Sequence, residues 1–192
     1  MKLPRAISLF LRIRKIWVLP KKCDVLIFDS RDDSPIEVEL AKMVSPYGNI
    51  GRLVFPGNGE VNIPVLLASI LKRGKRIVTY CDCYIRMATP RLVITYIDNS
   101  STFYSVAASN PAVKTMFIQN GKRNNIAFEH LDRKSLQENL KVDFMLVFGS
   151  HIGTKYAKYI AGAVVPIGSF INNYIPRVRP KVKGTLSYVS QY

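Results

Sequence analysis

The chain has 192 residues, 48% of them apolar and 21% charged, with 28 Lys+Arg against 13 Asp+Glu and a formal charge of +15. That length and balance fit one globular domain with a real core, or one domain and the beginning of another, and exclude disorder as the main state. Three cysteines make no disulfide framework and suit a reducing compartment, and no apolar run reaches the roughly 20 residues of a membrane-spanning helix.

The charge is uneven. Residues 1–22 carry Lys2, Arg5, Arg12, Arg14, Lys15, Lys21 and Lys22 without an acid, and residues 174–192 carry Arg177, Arg179, Lys181 and Lys183, again without one. The body between them is close to neutral. In the opening segment the apolar stretch Ala6–Leu11 runs straight into Arg12, Arg14 and Lys15, which is not the pattern of a cleavable signal peptide. Ile7, Phe10, Leu11, Ile13, Trp17 and Val18 mix with those cations. This predicts a basic amphipathic leader over 1–22 that lies on an anionic bilayer with Trp17 at the headgroup level. The alternative is a leader that packs Ile16–Leu19 on the domain and leaves its charges in water. Nucleic acid would need stacking aromatics or a reading motif among the cations, and neither is present.

From Cys23 onward, short β-rich apolar runs alternate with helical stretches. Asp24–Phe28 is a buried-strand run, and Pro35 to Val44 a helix. Arg52–Phe55 is a second strand, and Asn62 caps a helix from Ile63 to Lys72 with Pro64 in its first turn. Arg76 to Met87 is a further helix that Pro90 ends. Leu92–Ile97 is a strand, and Ser100 or Ser101 begins a helix towards Ala108. Val113–Ile118 is a strand, followed by a long polar stretch with a short helix near Lys134–Leu140. Val142–Phe148, a helix over Thr154–Ile160 and the strand Ala163–Ile167 complete the series. Six near-continuous apolar strands separated by helices predict a doubly wound, Rossmann-like parallel sheet over residues 23–176. Arg177–Lys183 then reads as a linker, and Gly184–Ser190 as the first strand of a second domain within 177–192 or as an added edge strand.

Ligands of open α/β sheets bind outside the carboxyl ends of the strands. The residues just past each run are Asp29-Ser30, Gly57-Asn58-Gly59, Asp98-Asn99-Ser100, Gln119-Asn120-Gly121-Lys122-Arg123, Gly149-Ser150-His151 and Gly168-Ser169. Amides and hydroxyls match vicinal hydroxyls of a sugar, and glycines let backbone N–H groups approach an oxyanion. Turns use Gly, Asn, Asp and Ser in any case. Gln119–Arg123 stands out because turn geometry does not require Gln, Lys or Arg, and Asp98-Asn99 because a carboxylate and an amide follow a buried strand directly. Cys81-Asp82-Cys83 lacks the spacing of a redox pair or a zinc site and reads as core packing. No Walker, GxSxG or HExxH motif occurs, and neither a metal nor a cofactor is implied.

Ile97–Asn99 with Phe103-Tyr104, Phe117–Arg123, Lys141–Gly153 and Ile167–Asn173, in this order and spacing, resemble the bacterial surface carbohydrate biosynthesis proteins. These are glycosyltransferase-like proteins of the two-Rossmann-domain (GT-B) type, distantly similar to the glycerophosphotransferases of teichoic acid synthesis. The resemblance covers Cys23 to Tyr192 and only the family's N-terminal half. It implies the acceptor-side domain of a cytoplasmic transferase, peripheral to the inner face of the membrane. Such an enzyme moves a sugar or polyol from a nucleotide-activated donor, held mainly by a C-terminal domain, to a glycan or lipid-linked acceptor. In that frame Asp98 is the expected catalytic base. Asn99, Gln119 and Asn120 would orient hydroxyls, and Lys122 or Arg123 would meet phosphate or acceptor. Gly121, Gly149, Ser150, Gly168 and Ser169 complete the expected substrate-binding rim. A non-catalytic sugar- or nucleotide-binding module is the alternative that the same tips allow.

Overall fold

The computed structural model describes residues 13–31, 34–56, 59–72, 76–121, 123 and 125–174. The elements run β1 (Arg14–Ile16), β2 (Val25–Phe28), α1 (Pro35–Val44), β3 (Ile50–Leu53), β4 (Glu60–Asn62), α2 (Ile63–Ile70), α3 (Arg76–Ala88) and β5 (Leu92–Thr95). They continue with α4 (Ser101–Ser109), β6 (Lys114–Ile118), α5 (Asn125–Ser135), β7 (Lys141–Val147), α6 (Ser150–Ala157) and β8 (Ala161–Pro166). Residues 1–12 and 175–192, and with them most of the expected leader, the linker and the terminal strand, lie outside the described residues.

Six strands form one parallel sheet in the order β3-β2-β5-β6-β7-β8. The chain leaves β2 to one side through α1 and returns on the other side to β5, so the direction of winding reverses between β2 and β5. Right-handed crossovers then put α1 and the later helices on opposite faces. Val25, Ile27, Ile94 and Ile118 of the sheet pack with Leu40 and Val44 of α1 and with Phe170. Leu26, Phe28, Val93, Phe117 and Met145 face the other way, onto Tyr80, Cys81 and Cys83 of α3, Tyr104 of α4, Leu131 of α5 and Tyr156 of α6. The fold is a doubly wound α/β domain of the Rossmann-like kind. Cys23, Cys81 and Cys83 are free thiols buried in this core.

Pairing and capping explain the boundaries. The strand expected at Arg52–Phe55 is Ile50–Leu53, because its register is set by Val25↔Ile50 and Phe28↔Leu53. Phe55 instead closes edge-on against Phe28, with ring centroids 5.2 Å apart. The Asn62 side chain accepts the Val65 N–H at 3.1 Å and starts α2, and Ser100 does the same for α4 through the Phe103 N–H at 3.3 Å. Two helices sit earlier than expected. The polar stretch expected between strands is α5, anchored by buried Phe128 and Leu131, and the helix near Lys134–Leu140 does not form as such. α6 begins at Ser150 rather than Thr154 because Gly149 supplies the extended N-cap. The leader also departs from its expected form over 13–22. Arg14–Ile16 is a strand that pairs parallel with Glu60–Asn62.

Gly153 sits where α6 presses on β8, and a methyl added there would overlap Val164 Cγ1, with Val147 Cγ2 at 3.2 Å. We predict that Gly153→Ala costs about 1–3 kcal/mol by overpacking, although alanine is the better helix former. Gly121→Ala, where nothing lies within 4 Å, stays within about 0.5 kcal/mol of the parent. Urea denaturation measures both.

Candidate functional site

Parallel pairing brings the carboxyl ends of all six strands to one edge, and over β5 and β6 the central group there is the Asp98 carboxylate. Asp98 is completely buried. Arg123, on the segment after β6, grips it side-on: Nε donates to Oδ2 at 2.8 Å and a terminal guanidinium nitrogen donates to Oδ1. The Tyr156 hydroxyl donates to Oδ2 from α6. Tyr104 donates its hydroxyl to the Asp98 carbonyl at 2.6 Å, and Asn120 Oδ1 accepts a second bond from Arg123 at 3.0 Å. A buried charge is tolerable when it is paired and hydrogen-bonded in this way, and a bidentate guanidinium is the most effective partner.

Both carboxylate oxygens of Asp98, the expected base, accept hydrogen bonds and the residue is completely buried, so in this structure it holds the Arg123 guanidinium in place. Gln119 is likewise committed internally. Its Nε2 donates to the Gly121 carbonyl at 2.9 Å and its Oε1 accepts the Phe148 N–H at 3.0 Å, so it ties the β6 tip to the β7 tip. The structure therefore joins Asp98, Asn120 and Arg123 directly, and Gln119 with Gly121. Asn99 is exposed in the turn before α4, and Ser150 is exposed on the first turn of α6. Ser169 Oγ accepts the Asn172 N–H at 3.4 Å. Lys122 lies outside the described residues. Gly121, Gly149 and Gly168 each face open space where a side chain would project, and Gly168 has φ +75°. At the tips of β6, β7 and β8 the rim thus carries glycine backbone that no neighbouring atom covers.

Beneath this rim runs a row of rings. Phe28, Phe103, Tyr104, Phe117, Tyr156 and Phe128 touch in sequence, with centroids 5.2–5.9 Å apart and mostly edge to face. The row seats both tyrosines that hold Asp98. Burial raises the Tyr156 hydroxyl pKa, with Arg123 pulling against it, and burial followed by Tyr156 holds the Tyr104 hydroxyl well above its ordinary value. Both remain proton donors at neutral pH.

A second network at the same edge was not visible in the sequence. Glu37, buried in the first turn of α1, accepts from Ser30 Oγ at 2.6 Å, from the Arg31 N–H at 2.7 Å and from the Tyr96 hydroxyl at 3.2 Å. Arg52 Nε stands 3.1 Å from its Oε1. This lies where the winding reverses, the usual ligand crevice of such sheets. Here the protein's own side chains fill it, which moves the open part of the edge to β6–β8. The available signal was Glu37 at the N-terminal turn of a predicted helix, directly after the polar tip Asp29-Ser30.

One comparison with known proteins reaches this part of the chain. Residues 116–192, from within β6 onward, match a family model described as "putative O-antigen biosynthesis protein". The matched part includes Gln119–Arg123, Gly149-Ser150 and Gly168-Ser169, and supports a part in surface carbohydrate biosynthesis. The comparisons with curated proteins and with solved structures give no match.

The raised tyrosine values fix a sign for alkaline stability. The folded chain keeps the Tyr104 and Tyr156 protons after the unfolded chain, with hydroxyls near pKa 10, has lost them. Their contribution is complete below about pH 10 and is lost as pH rises through the folded values. We predict that unfolding free energy falls with pH above that point, and falls less steeply in Tyr156→Phe. Urea midpoints read across alkaline pH measure the slope.

Proposed function

We propose that this chain is the acceptor-side domain of a transferase of bacterial surface polysaccharide biosynthesis, acting on the cytoplasmic side. It would move a sugar or polyol from a nucleotide-activated donor to a glycan or lipid-linked acceptor. The observation that carries the reading is Arg123, clamped by Asp98 and Asn120 at an open, glycine-lined rim within the segment that matches the O-antigen family. For a sugar donor, the acceptor hydroxyl oxygen bonds to the anomeric carbon. The bond from that carbon to the diphosphate breaks, and the nucleoside diphosphate leaves with the electron pair. A preorganised guanidinium stabilises the charge that develops on the leaving phosphate or orients the acceptor. The acceptor proton needs a base. Among the described tip residues His151, exposed in the first turn of α6, offers an imidazole, the side chain most often used for that task. The donor nucleotide would lie chiefly on a second domain.

The other reading, a non-catalytic sugar- or nucleotide-binding module, draws on one observation: the carboxylate nearest the rim is buried and fully bonded. Transfer assays with a panel of UDP-sugars and CDP-polyols separate the two. Arg123→Lys keeps a charge for Asp98 but loses the side-on fork. It should remain folded and reduce transfer by about 10–1000-fold. Wild-type turnover in that variant would remove Arg123 from the mechanism. Donor binding without turnover across the whole panel would favour the module.

A further inference from the structure

The strongest feature outside the strand edge is an apolar surface shared by the segment after β1 and helix α2. Trp17, Val18 and Leu19 are exposed, Trp17 by 73%. The Val18 carbonyl accepts from Asn62 Nδ2 at 2.9 Å. Asn62 also caps α2, so the exposed segment is fastened to that helix at its start. Along α2, Leu67, Ile70 and Leu71 follow at helical spacing and are exposed by 58%, 69% and 88%. The inner side of the same helix is ordinary core, with Ile63, Val65 and Ser69 buried. Folding accounts for that inner side. It does not account for six large apolar side chains left in water on neighbouring segments, and such patches mark interaction surfaces.

The surrounding charge selects the partner. Lys21 and Lys22 are exposed beside the Trp17–Leu19 segment and enter no ion pair among the described residues. In the sequence, α2 is followed by the cations Lys72, Arg73, Lys75 and Arg76. The acids nearby already face cations, Glu60 with Arg14 at 3.8 Å and Asp82 with Lys72 at 3.6 Å. A second copy of the chain would set like charges against each other, and a nucleic acid would leave the aliphatic side chains without a use. An anionic lipid surface satisfies both parts. Apolar tips enter the acyl boundary while cations meet headgroup phosphates.

We infer that the face formed by Trp17–Leu19 and the outer side of α2 docks on an anionic bilayer surface, with Leu67, Ile70 and Leu71 as inserted anchors. This extends the expectation for the leader to α2, and it stands independently of the transferase reading.

Trp17 is the one tryptophan in the chain, so its emission reports the surface directly. The full chain is titrated with vesicles of phosphatidylcholine alone and of phosphatidylcholine with phosphatidylglycerol. The expected result is a blue shift and flotation with the anionic vesicles, weakened by salt, with little change on the neutral ones. The triple variant Leu67→Gln, Ile70→Gln and Leu71→Gln should lose at least about tenfold in partitioning. Its melting temperature should stay near that of the parent, because those side chains are already in water. Unchanged Trp17 emission with anionic vesicles overturns the proposal. So does parental partitioning of a folded triple variant, or a blue shift that follows protein concentration without lipid, which would identify the occupant as a second copy.

Discussion

A fully buried carboxylate must be neutralised where it stands, and at the working edge of this sheet that requirement organises the rest. Asp98 follows β5, the strand after the winding reverses, and cannot reach water. Arg123, arriving one helix and one strand later, supplies the opposite charge, and Tyr156, from α6, supplies a hydroxyl. Three separate elements are thereby brought to one point. Removing either member of a buried pair strands the other, at a cost of about 3–5 kcal/mol. The pairing also has a chemical consequence: a carboxylate shut away from water and bound to a guanidinium is a poor proton acceptor.

The aromatic row makes this arrangement possible. Phe117 and Tyr156 stand with ring centroids 5.2 Å apart, and Tyr104 and Phe117 5.9 Å apart. Rigid rings place hydroxyls with little conformational freedom to lose, so two tyrosines can aim from the core at one polar residue. The Glu37 network performs the same service at the far side of the edge, joining α1 to the tips of β2, β3 and β5. The edge is therefore divided. The part at the reversal point is tied by internal bonds, and the part over β6–β8, which the O-antigen family model covers, has glycines facing open space beside an anchored and largely buried arginine.

The apolar surface of α2 follows a different logic. A helix of eight residues with buried and exposed aliphatic side chains has little amphipathic contrast, and its sequence, Ile-Pro-Val-Leu-Leu-Ala-Ser-Ile, reads as interior throughout. Only the position of β4 and α3 decides that Val65 faces the core while Leu67 and Leu71 do not. Pairing of β1 with β4 then brings Trp17–Leu19 to the same region.

Much of the fold was legible because it is local. Apolar runs of four to seven residues, the caps at Asn62 and Ser100 and the terminating Pro90 act within a few residues of themselves, and they sufficed for six strands and a doubly wound class. Where apolar spacing was sparse, as in α5 with Phe128 and Leu131, local pattern failed and packing against Tyr156 decided the helix. The site divides in the same way. Residue order alone brought Asp98, Gln119 and Arg123 to one edge, since parallel strands send their carboxyl ends the same way. Which of them is buried, which is bonded and which is open depends on contacts between residues 25 to 59 positions apart. Periodicity carries no information about such pairs, because each is closed by the assembled sheet and by no feature of its own segment.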